Sequence, residues 1–177
     1  FNGSTDYISV ASNSTLNISN SKITLAAWVK KNTATSTGYI INKGVPVTGG
    51  DGYNVRLSTS TVTAKIQITT NVSDDKTYNF PTDTNWHFLV VVFAATSSNS
   101  GIYVDGTRLG SMSSGAASQA SSTSLTIGSY NDGTSVFDGS IDEARVYDRV
   151  LTATEVYQLY KNSAAPLAKL TKSGQSD

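Results

Sequence analysis

Carboxylates are the side chains best able to do chemistry in this chain, and their spacing limits what that chemistry can be. Retaining hydrolysis of a glycosidic bond needs two carboxylates about 5 Å apart, one as nucleophile and one as acid/base. Asp142 and Glu143 are adjacent, so in a strand their side chains point to opposite faces. Asp74, Asp75 and Asp83 lie among residues typical of turns. The spacing therefore favours a protein that is not an enzyme.

The single histidine and the lack of cysteine argue against other kinds of catalytic and metal site. His87 shares strand parity with Leu89, Val91 and Phe93, which indicates a structural role rather than a place in a Ser-His-Asp triad. One histidine cannot build a multi-histidine metal centre. A sequence without cysteine has no disulfide, no thiolate zinc site and no cysteine nucleophile.

Two glycine-containing loops carry residue types that bind sugars. A sugar site needs an aromatic ring for the apolar face of a pyranose and polar groups for its hydroxyls. Asp51 and Tyr53 supply this combination in one loop, and Tyr130, Asn131 and Asp132 supply it in the other. The same residue types are also typical of tight turns, so either loop alone is open to a purely structural interpretation.

Trp28 is a third candidate for sugar binding. It shares strand parity with Thr24 and Lys30 rather than with the apolar Leu25 and Val29. This parity predicts an indole ring on an open concave face, where a sugar would stack on it. The alternative is a ring packed against neighbouring residues.

The elements that must position these residues are short strands separated by turns. The predicted strands are 7–10, 23–30, 38–42, 52–57, 61–69, 86–94, two short strands within 102–109, 124–128 and 140–147. The segment 86–94 is apolar on both parities, which predicts a central strand covered on both sides. Asp105-Gly106 predicts a type I′ hairpin turn. About ten strands, with turns every 8–12 residues, predict an all-β sandwich.

One helix is predicted near the C-terminal end. Thr152 and Glu155 fit a capping box, and apolar residues follow at helical spacing to residue 160. Two turns cannot form a domain, so we expect this helix to cap one edge or end of the sandwich. We therefore predict a domain over 1–162 and a linker or disordered tail over 163–177, where the sequence is polar and aperiodic. The linker-like end and the start within a strand-like pattern indicate a module joined to other domains of a parent polypeptide.

Charge and hydropathy exclude two classes of partner. Thirteen basic and thirteen acidic residues give a net charge of zero, and charged residues make up 15% of the chain. Such a chain offers phosphate backbones no electrostatic attraction, so we expect no nucleic-acid partner. No apolar run approaches 18 residues, so we expect no membrane insertion. We further expect a monomer.

Several segments occur in an order typical of one family. They are Phe1-Asn2-Gly3-Ser4-Thr5-Asp6-Tyr7-Ile8, the strand 23–30, Trp86-His87, Tyr103-Val104-Asp105-Gly106, Leu125-Thr126-Ile127-Gly128, 137–147 and 151–156. Together they resemble the laminin-G-like, concanavalin A-like jelly-roll domains common in bacterial and environmental extracellular proteins. The resemblance covers about residues 1–161. It implies two curved antiparallel sheets, one convex and one concave, with ligands meeting the concave face or the loops at its rim.

Asp142 is the candidate for a metal site. It has the parity of Ala144 and Val146, which predicts a carboxylate on an apolar face, and that is costly unless the charge is paired. Calcium is one answer, because it accepts backbone carbonyls alongside a single carboxylate. Capping of a turn, or an ion pair with Arg145 or Arg108, is the alternative.

The resemblance extends this candidate to a ligand set. Related domains, including laminarinase-like hydrolases of the same fold, often bind a structural calcium through the aspartate of a motif similar to Ile141-Asp142-Glu143. Carbonyls of the N-terminal strand and of an early glycine-containing loop complete that site. Carried over by position, this implies Asp142, Asn2 and Gly44 as ligands, with Asp6 as a competing ligand. Those hydrolases also carry a Glu-x-Asp-x-x-Glu trio, which this sequence lacks.

Three functions remain in competition. The leading hypothesis is a non-catalytic, lectin-like module of an extracellular or cell-surface protein, stabilised by calcium and binding a polysaccharide or a cell-surface glycan. The second is an adhesion or spacer domain of a surface protein that binds no sugar. The third, which the carboxylate spacing disfavours, is a glycoside hydrolase with a site that the sequence patterns do not reveal.

Overall fold

Eleven strands and one helix make up the described part of the chain. The computed structural model describes residues 1–19, 22–44, 51–69, 72–94, 98–112, 120–131 and 133–163. The strands are β1 (Ile8–Val10), β2 (Ile23–Lys31), β3 (Gly38–Lys43), β4 (Tyr53–Leu57), β5 (Thr61–Thr69), β6 (Val72–Asn79), β7 (Trp86–Phe93), β8 (Gly101–Val104), β9 (Thr107–Gly110), β10 (Leu125–Ile127) and β11 (Gly139–Tyr147). The helix α1 is Ala153–Asn162.

The strands form two antiparallel sheets that pack face to face. The six-stranded sheet has the order β1-β10-β3-β4-β5-β6, and the five-stranded sheet has the order β11-β2-β7-β8-β9. The fold is a concanavalin A-like jelly-roll sandwich with one short C-terminal helix, which confirms the fold class predicted from the sequence.

The alternation of side chains along each strand builds the core between the sheets. In β7, Leu89 and Val91 face the interior of the sandwich, while Phe88 and Val90 face outward into a second apolar cluster. The strand is therefore buried on both faces, as its apolar sequence predicts. Each fully buried aliphatic or aromatic side chain contributes about 1.5–3 kcal/mol to folding, which makes this strand the centre of the fold.

The helix covers the outer face of the five-stranded sheet. Val156 of α1 is fully buried, and Tyr160 places its ring centroid 5.9 Å from that of Trp28 on β2. The prediction that the helix caps an edge or end of the sandwich was wrong, because Trp28 and Phe88 are apolar groups on the outward side of central strands and need cover. The outer faces of the two sheets therefore differ, since in the described part of the chain no helix lies over the six-stranded sheet.

Local signals fix the ends of the helix and the hairpin beside it. Thr152 caps α1 by accepting a hydrogen bond from the Glu155 backbone N–H at 3.2 Å, and Glu155 accepts one from the Thr152 backbone N–H at 2.8 Å. Asp105 and Gly106 both have positive φ, 51° and 75°, as a type I′ turn requires. A Cβ at Gly106 would lie 3.1 Å from the ring of Tyr160, so the turn and the helix are in contact.

One strand was missed in the sequence. Asp74 and Asp75 were predicted to lie in turns, but both belong to β6, where they pair in register with Ile66 and Lys65 of β5. The segment 72–79 mixes serine, aspartate and lysine and shows little apolar alternation, so its pairing depends on β5 rather than on its own residues.

A β-bulge overturns the predicted orientation of Asp142. Asp142 pairs with Trp28 and Arg145 pairs with Ala26, so β11 contains one residue more than β2 between these pairs. Glu143 takes a φ of 50° in the bulge. The extra residue reverses the parity, so Asp142 lies on the outward side of the sheet with Trp28. The prediction that it shares a face with Ala144 and Val146 was wrong, because those two residues pack against the core.

Two further points concern the whole chain. No helix in the ranges given above is long and apolar enough to cross a membrane. The predicted tail, 163–177, lies outside the described residues except for Ser163, whose backbone N–H ends the helix by bonding to the Leu159 carbonyl.

Candidate functional site

Two tyrosines form an aromatic pair on the outward side of the six-stranded sheet, which we call the polar face. Tyr39 of β3 and Tyr130 of the loop after β10 place their ring centroids 4.9 Å apart, with an angle of 44° between the ring planes. Both residues are half-buried, so a part of each side chain reaches solvent. Such a pair offers the apolar surface on which a sugar ring stacks.

The loop that carries Tyr130 is held firmly. The Tyr130 backbone N–H donates to the Thr134 carbonyl at 2.8 Å, and the Gly133 N–H donates to the Tyr130 carbonyl at 2.9 Å. A hydrogen bond of 3.2 Å from the Tyr39 N–H to the Ser135 carbonyl ties the same loop to β3. The tyrosine pair is therefore preorganised by backbone bonds rather than assembled by a ligand.

Arg56 extends the aromatic pair along the polar face. It is exposed on β4, opposite Tyr39 in register, and its guanidinium carbon lies 5.8 Å from the centroid of the Tyr39 ring. The same row continues across the sheet through Thr63 and Thr77, whose hydroxyls lie 2.8 Å apart. This row offers one cation and two hydroxyls beside the tyrosine rings.

A cluster of amides lies next to the tyrosine pair, and we call it the amide corner. It consists of Asn42 at the end of β3, Asn131 beside Tyr130, Gly44 and Asp51. The Asn42 side-chain N–H donates to the Asn131 side-chain oxygen and, at 3.4 Å, to the Gly44 carbonyl. Gly44 has a φ of 78°, and a Cβ there would collide with the Asp51 carboxylate, so this carboxylate lies directly against the Gly44 backbone.

Two buried polar atoms, one in the amide corner and one in the loop just before Tyr130, have no partner among the described residues. Asn42 and Ser129 are both fully buried, yet the Asn42 side-chain oxygen and the Ser129 hydroxyl make no hydrogen bond there. An unsatisfied buried polar group costs about 1–3 kcal/mol. Such a cost is typical of sites in which a bound ion or ligand completes the hydrogen bonding.

A buried lysine lies under the same corner. Lys43 is fully buried and its ammonium donates to the Thr123 carbonyl at 2.6 Å and to the Ser12 hydroxyl at 3.1 Å. Burial lowers the pKa of Lys43, and the charge of Asp51 opposes this shift. The Asp51 carboxylate is therefore close enough to Lys43 for its charge to act on the lysine.

Two of the sequence-predicted sugar-binding residues are buried instead. Tyr53 is 1% exposed and lies in the core, where its hydroxyl donates to the Leu16 carbonyl at 3.2 Å and burial raises its pKa. Trp28 is 3% exposed beneath α1, and its indole N–H donates to the Ser163 hydroxyl at 3.1 Å. Neither ring is available to a sugar, because each fills space that an apolar core or helix contact requires. Asp132 lies outside the described residues.

The sequence-predicted calcium ligands do not form one site. Asn2 and Asp6 lie together near the N-terminus, where the Asn2 side-chain oxygen accepts hydrogen bonds from the backbone N–H groups of Ser4, Thr5 and Asp6. Asp142 lies on the five-stranded sheet, opposite Trp28 of the neighbouring strand, and accepts a hydrogen bond from the Glu143 N–H at 2.7 Å. Gly44 belongs to the amide corner. In the described ranges, no three acidic or histidine side chains are grouped to hold a metal ion.

His87 is held between two carboxylates. Its Nδ1 lies 2.7 Å from Asp105 and its Nε2 lies 3.0 Å from Asp83. The hydrogen bond to Asp105 is the main cause that raises the pKa of His87, and partial burial opposes it. Both ring nitrogens are thus occupied by carboxylates, which leaves neither to activate a serine.

An apolar cleft of about 230 Å³ opens between the sheets, away from the polar face. Its lining is entirely aliphatic and comes from both sheets: Val10, Leu16, Ile41, Leu125, Ile127, Ala144 and Val146. It contains no group that would bond to sugar hydroxyls, so the polar face remains the better candidate for a glycan.

Of the residues of the polar face and the amide corner, the sequence patterns had indicated Tyr130, Asn131 and Asp51 but not Tyr39 or Arg56. A signal was present, because Arg56 alternates with buried residues of β4 and so had to face outward. The meeting of Tyr39 with Tyr130 carried no such signal, since it joins residues 91 positions apart (130 minus 39) through the course of a loop.

Comparisons with known proteins agree on the fold. A family model described as the concanavalin A-like lectin/glucanases superfamily, Laminin_G_3, matches residues 2–157. A comparison with curated protein sequences found no match.

Solved structures with a similar fold are distant in sequence. The binding domain of botulinum neurotoxin serotype G is 14% identical with a TM-score of 0.68, over 91% of this chain and 46% of that one. A structure of botulinum neurotoxin type C, a toxin whose cell entry depends on interaction with two ganglioside molecules, is 13% identical with a TM-score of 0.64, over 88% of this chain and 40% of that one. The SAP-like pentraxin from Limulus polyphemus is 13% identical with a TM-score of 0.59, over 87% and 80%. This chain therefore spans less than half of those two toxin chains.

Proposed function

Because the chain belongs to the concanavalin A-like lectin/glucanase superfamily, we propose that it is a non-catalytic module that binds a polysaccharide or a cell-surface glycan on its polar face. The observation that carries the proposal is the Tyr39–Tyr130 pair, supported by a rigid loop and bordered by amide, hydroxyl and guanidinium groups. This is the combination that sugar recognition needs. The ganglioside named for the similar toxin structure is a lipid with a glycan headgroup, which is consistent with a glycan ligand for this fold.

The roles of the described carboxylates support a binding module over a hydrolase. Asp83 and Asp105 hold His87. Asp138 accepts hydrogen bonds from Asn32 at 2.7 Å and from Ser36 at 2.8 Å. These groups are engaged in holding the fold together, whereas a retaining hydrolase needs two carboxylates directed at a substrate.

We propose that the structural calcium binds at the amide corner. The support is the unpartnered oxygen of Asn42, the nearby oxygens of Asn131 and Gly44, and the single carboxylate of Asp51. Calcium takes six to eight oxygen ligands and accepts amide and backbone carbonyls alongside a carboxylate. A calcium ion bound there would coordinate the unpartnered side-chain oxygen of Asn42 and would hold the loop that carries Tyr130.

We further propose that the module is secreted or displayed at a cell surface, joined to other domains and monomeric. The competing hypothesis is an adhesion or spacer domain. That hypothesis predicts that the domain binds no sugar.

Affinity electrophoresis separates these hypotheses. The protein is run through gels containing plant, algal and bacterial polysaccharides with calcium supplied, beside a Tyr130→Ala variant. We expect at least one polysaccharide to retard the protein. We expect Tyr130→Ala to weaken that retardation at least tenfold. Tyr157→Ala is the matched control, because Tyr157 is 47% exposed on the helix covering the opposite sheet. No retardation on any gel favours the spacer, and release of oligosaccharides from the polymers would contradict the non-catalytic proposal.

A further inference from the structure

The four arginines of the chain differ in what holds their guanidinium groups. Arg108 donates to the Ser111 hydroxyl at 3.0 Å, Arg145 lies 3.0 Å from Glu143, and Arg149 lies 2.7 Å from Glu155. For Arg56, no described residue accepts a hydrogen bond or forms an ion pair, and its guanidinium rests on the Tyr39 ring. Arg56 is therefore a cation of the polar face that is available to an acidic ligand.

The Tyr39 ring restricts the guanidinium of Arg56. A cation over an aromatic face gains about 0.5–1 kcal/mol at an exposed site, which favours one orientation of a long and otherwise mobile side chain. The register of β3 and β4 places the two residues opposite each other, so the backbone fixes their approach. A stacked guanidinium still presents its N–H groups at the edge of its plane, where a ligand can reach them.

The guanidinium geometry indicates the chemical class of ligand. Paired N–H donors match the two oxygens of a carboxylate, and such a bidentate pair is both stronger and more directional than a neutral hydrogen bond. Tyr39 is the residue that links the two groups, since its ring centroid lies 4.9 Å from that of Tyr130 and 5.8 Å from the guanidinium carbon of Arg56. A sugar that stacks on the tyrosines would bring a ring carboxylate to Arg56.

We infer that the polar face selects glycans containing a carboxylated sugar, and that Arg56 is the residue that determines this specificity. The inference rests on the proposed glycan-binding function. The chain as a whole has no net charge, so we attribute the preference for acidic glycans to this local cation rather than to general attraction.

Matched pairs of glycans test the inference. The probes are an oligogalacturonate with its methyl ester and sialyllactose with lactose, measured by calorimetry at about 150 mM salt, where long-range attraction is screened. The acidic member of at least one pair is expected to bind at least tenfold more tightly than its neutral partner. Arg56→Met should remove that preference, and Arg56→Lys should retain a part of it because the charge persists without the paired donors.

Arg149→Met is the matched control. It removes the same charge from an exposed arginine on the helix side of the molecule and should leave the preference unchanged. Thermal melting checks that each variant is folded. Equal binding of neutral and acidic partners, or a preference that survives Arg56→Met, overturns the inference. If the affinity in that case still depends on Tyr130, the proposed function is not contradicted. Failure to bind any of these glycans or any polysaccharide contradicts both.

Discussion

Nδ1 of His87 lies 2.7 Å from a carboxylate oxygen of Asp105, and this contact joins the central strand β7 to the turn between β8 and β9. The second carboxylate oxygen of Asp105 accepts a hydrogen bond from the Phe88 N–H at 2.8 Å. Asp105 thus fastens the turn to both the backbone and a side chain of β7. Because the hydrogen bond to Asp105 raises the pKa of His87, the imidazolium form is favoured in the folded protein.

The stability of the protein should therefore depend on the charge of His87. A group whose pKa is raised by folding stabilises fully below its unfolded pKa, about 6.5, and loses that contribution as pH rises through the folded pKa. We predict that His87→Gln lowers the free energy of unfolding by about 2 kcal/mol near pH 5.5, the scale of hydrogen bonds to charged groups. The difference between the two proteins should shrink towards pH 8.5. Urea unfolding at the two pH values measures it.

An Asp105→Asn variant identifies the partner responsible. His87 is the only histidine in the sequence, so its ring protons give an unambiguous titration by NMR. Loss of the Asp105 charge should move the pKa of His87 downward. An unchanged titration would mean that Asp83 alone controls the imidazole.

Local features of the fold were predictable from the sequence because each depends on residues close together in the chain. The Asp105-Gly106 turn and the Thr152–Glu155 capping box are both present as expected. The apolar character of β7 on both parities likewise identified its central position. Strand β6 was not predictable, because its polar residues gain their conformation from pairing with β5.

The candidate site shows the same division. The Gly44 to Asp51 contact and the hydrogen bond from Asn42 to Asn131 bring together segments that the sequence analysis treated separately. The orientation of Asp142 was predicted wrongly because one extra residue in β11 reverses the side-chain parity, and no residue pattern indicates that bulge. The burial of Trp28 depends on the helix Ala153–Asn162, which lies more than a hundred residues further along the sequence. Strand parity states which side a residue faces but not what covers that side.

The capping box should contribute measurably to the docking of α1. Thr152→Ala removes the side chain that accepts from the Glu155 N–H, and loss of an N-cap typically costs about 1 kcal/mol. We predict a decrease of that size in the free energy of unfolding, measured by urea denaturation with the fluorescence of Trp28 and Trp86. Thr152→Ser keeps the hydroxyl and should behave like the parent protein. Equal stability of the alanine variant would mean that packing of Val156 alone holds the helix.

Gly106 should tolerate no side chain at the point where the hairpin meets the helix. Its φ of 75° is strained for other residues, and an added Cβ would lie 3.0 Å from the Tyr157 ring and 3.1 Å from the Tyr160 ring. We predict that Gly106→Ala destabilises the protein by about 1–2 kcal/mol, since the left-handed conformation alone costs that much. Combining it with Tyr157→Ala relieves one of the two contacts. A double variant as unstable as the sum of the two single variants would assign the cost to backbone strain rather than to crowding.

Calcium should raise the melting temperature through the amide corner. A ligand that binds the folded state alone stabilises it by RT ln(1 + [L]/Kd), about 2.7 kcal/mol when calcium is present at a hundred times its Kd. We predict a higher melting temperature with calcium than with a chelator, measured by scanning calorimetry, and the loss of that increment in Asp51→Asn. This substitution removes the negative charge of Asp51 from the corner but keeps the shape of the side chain.

Asp142→Asn is the decisive comparison, because it removes the carboxylate that the motif Ile141-Asp142-Glu143 marks as the metal ligand. Asp142 already accepts a hydrogen bond from the Glu143 N–H and lies opposite Trp28, on the other sheet from Gly44. If calcium binds at the amide corner, Asp142→Asn should retain the full calcium-dependent increment in melting temperature. Loss of the increment in Asp142→Asn, with Asp51→Asn unaffected, would instead assign the metal to the bulged strand. No increment in the parent protein would refute calcium binding at either position.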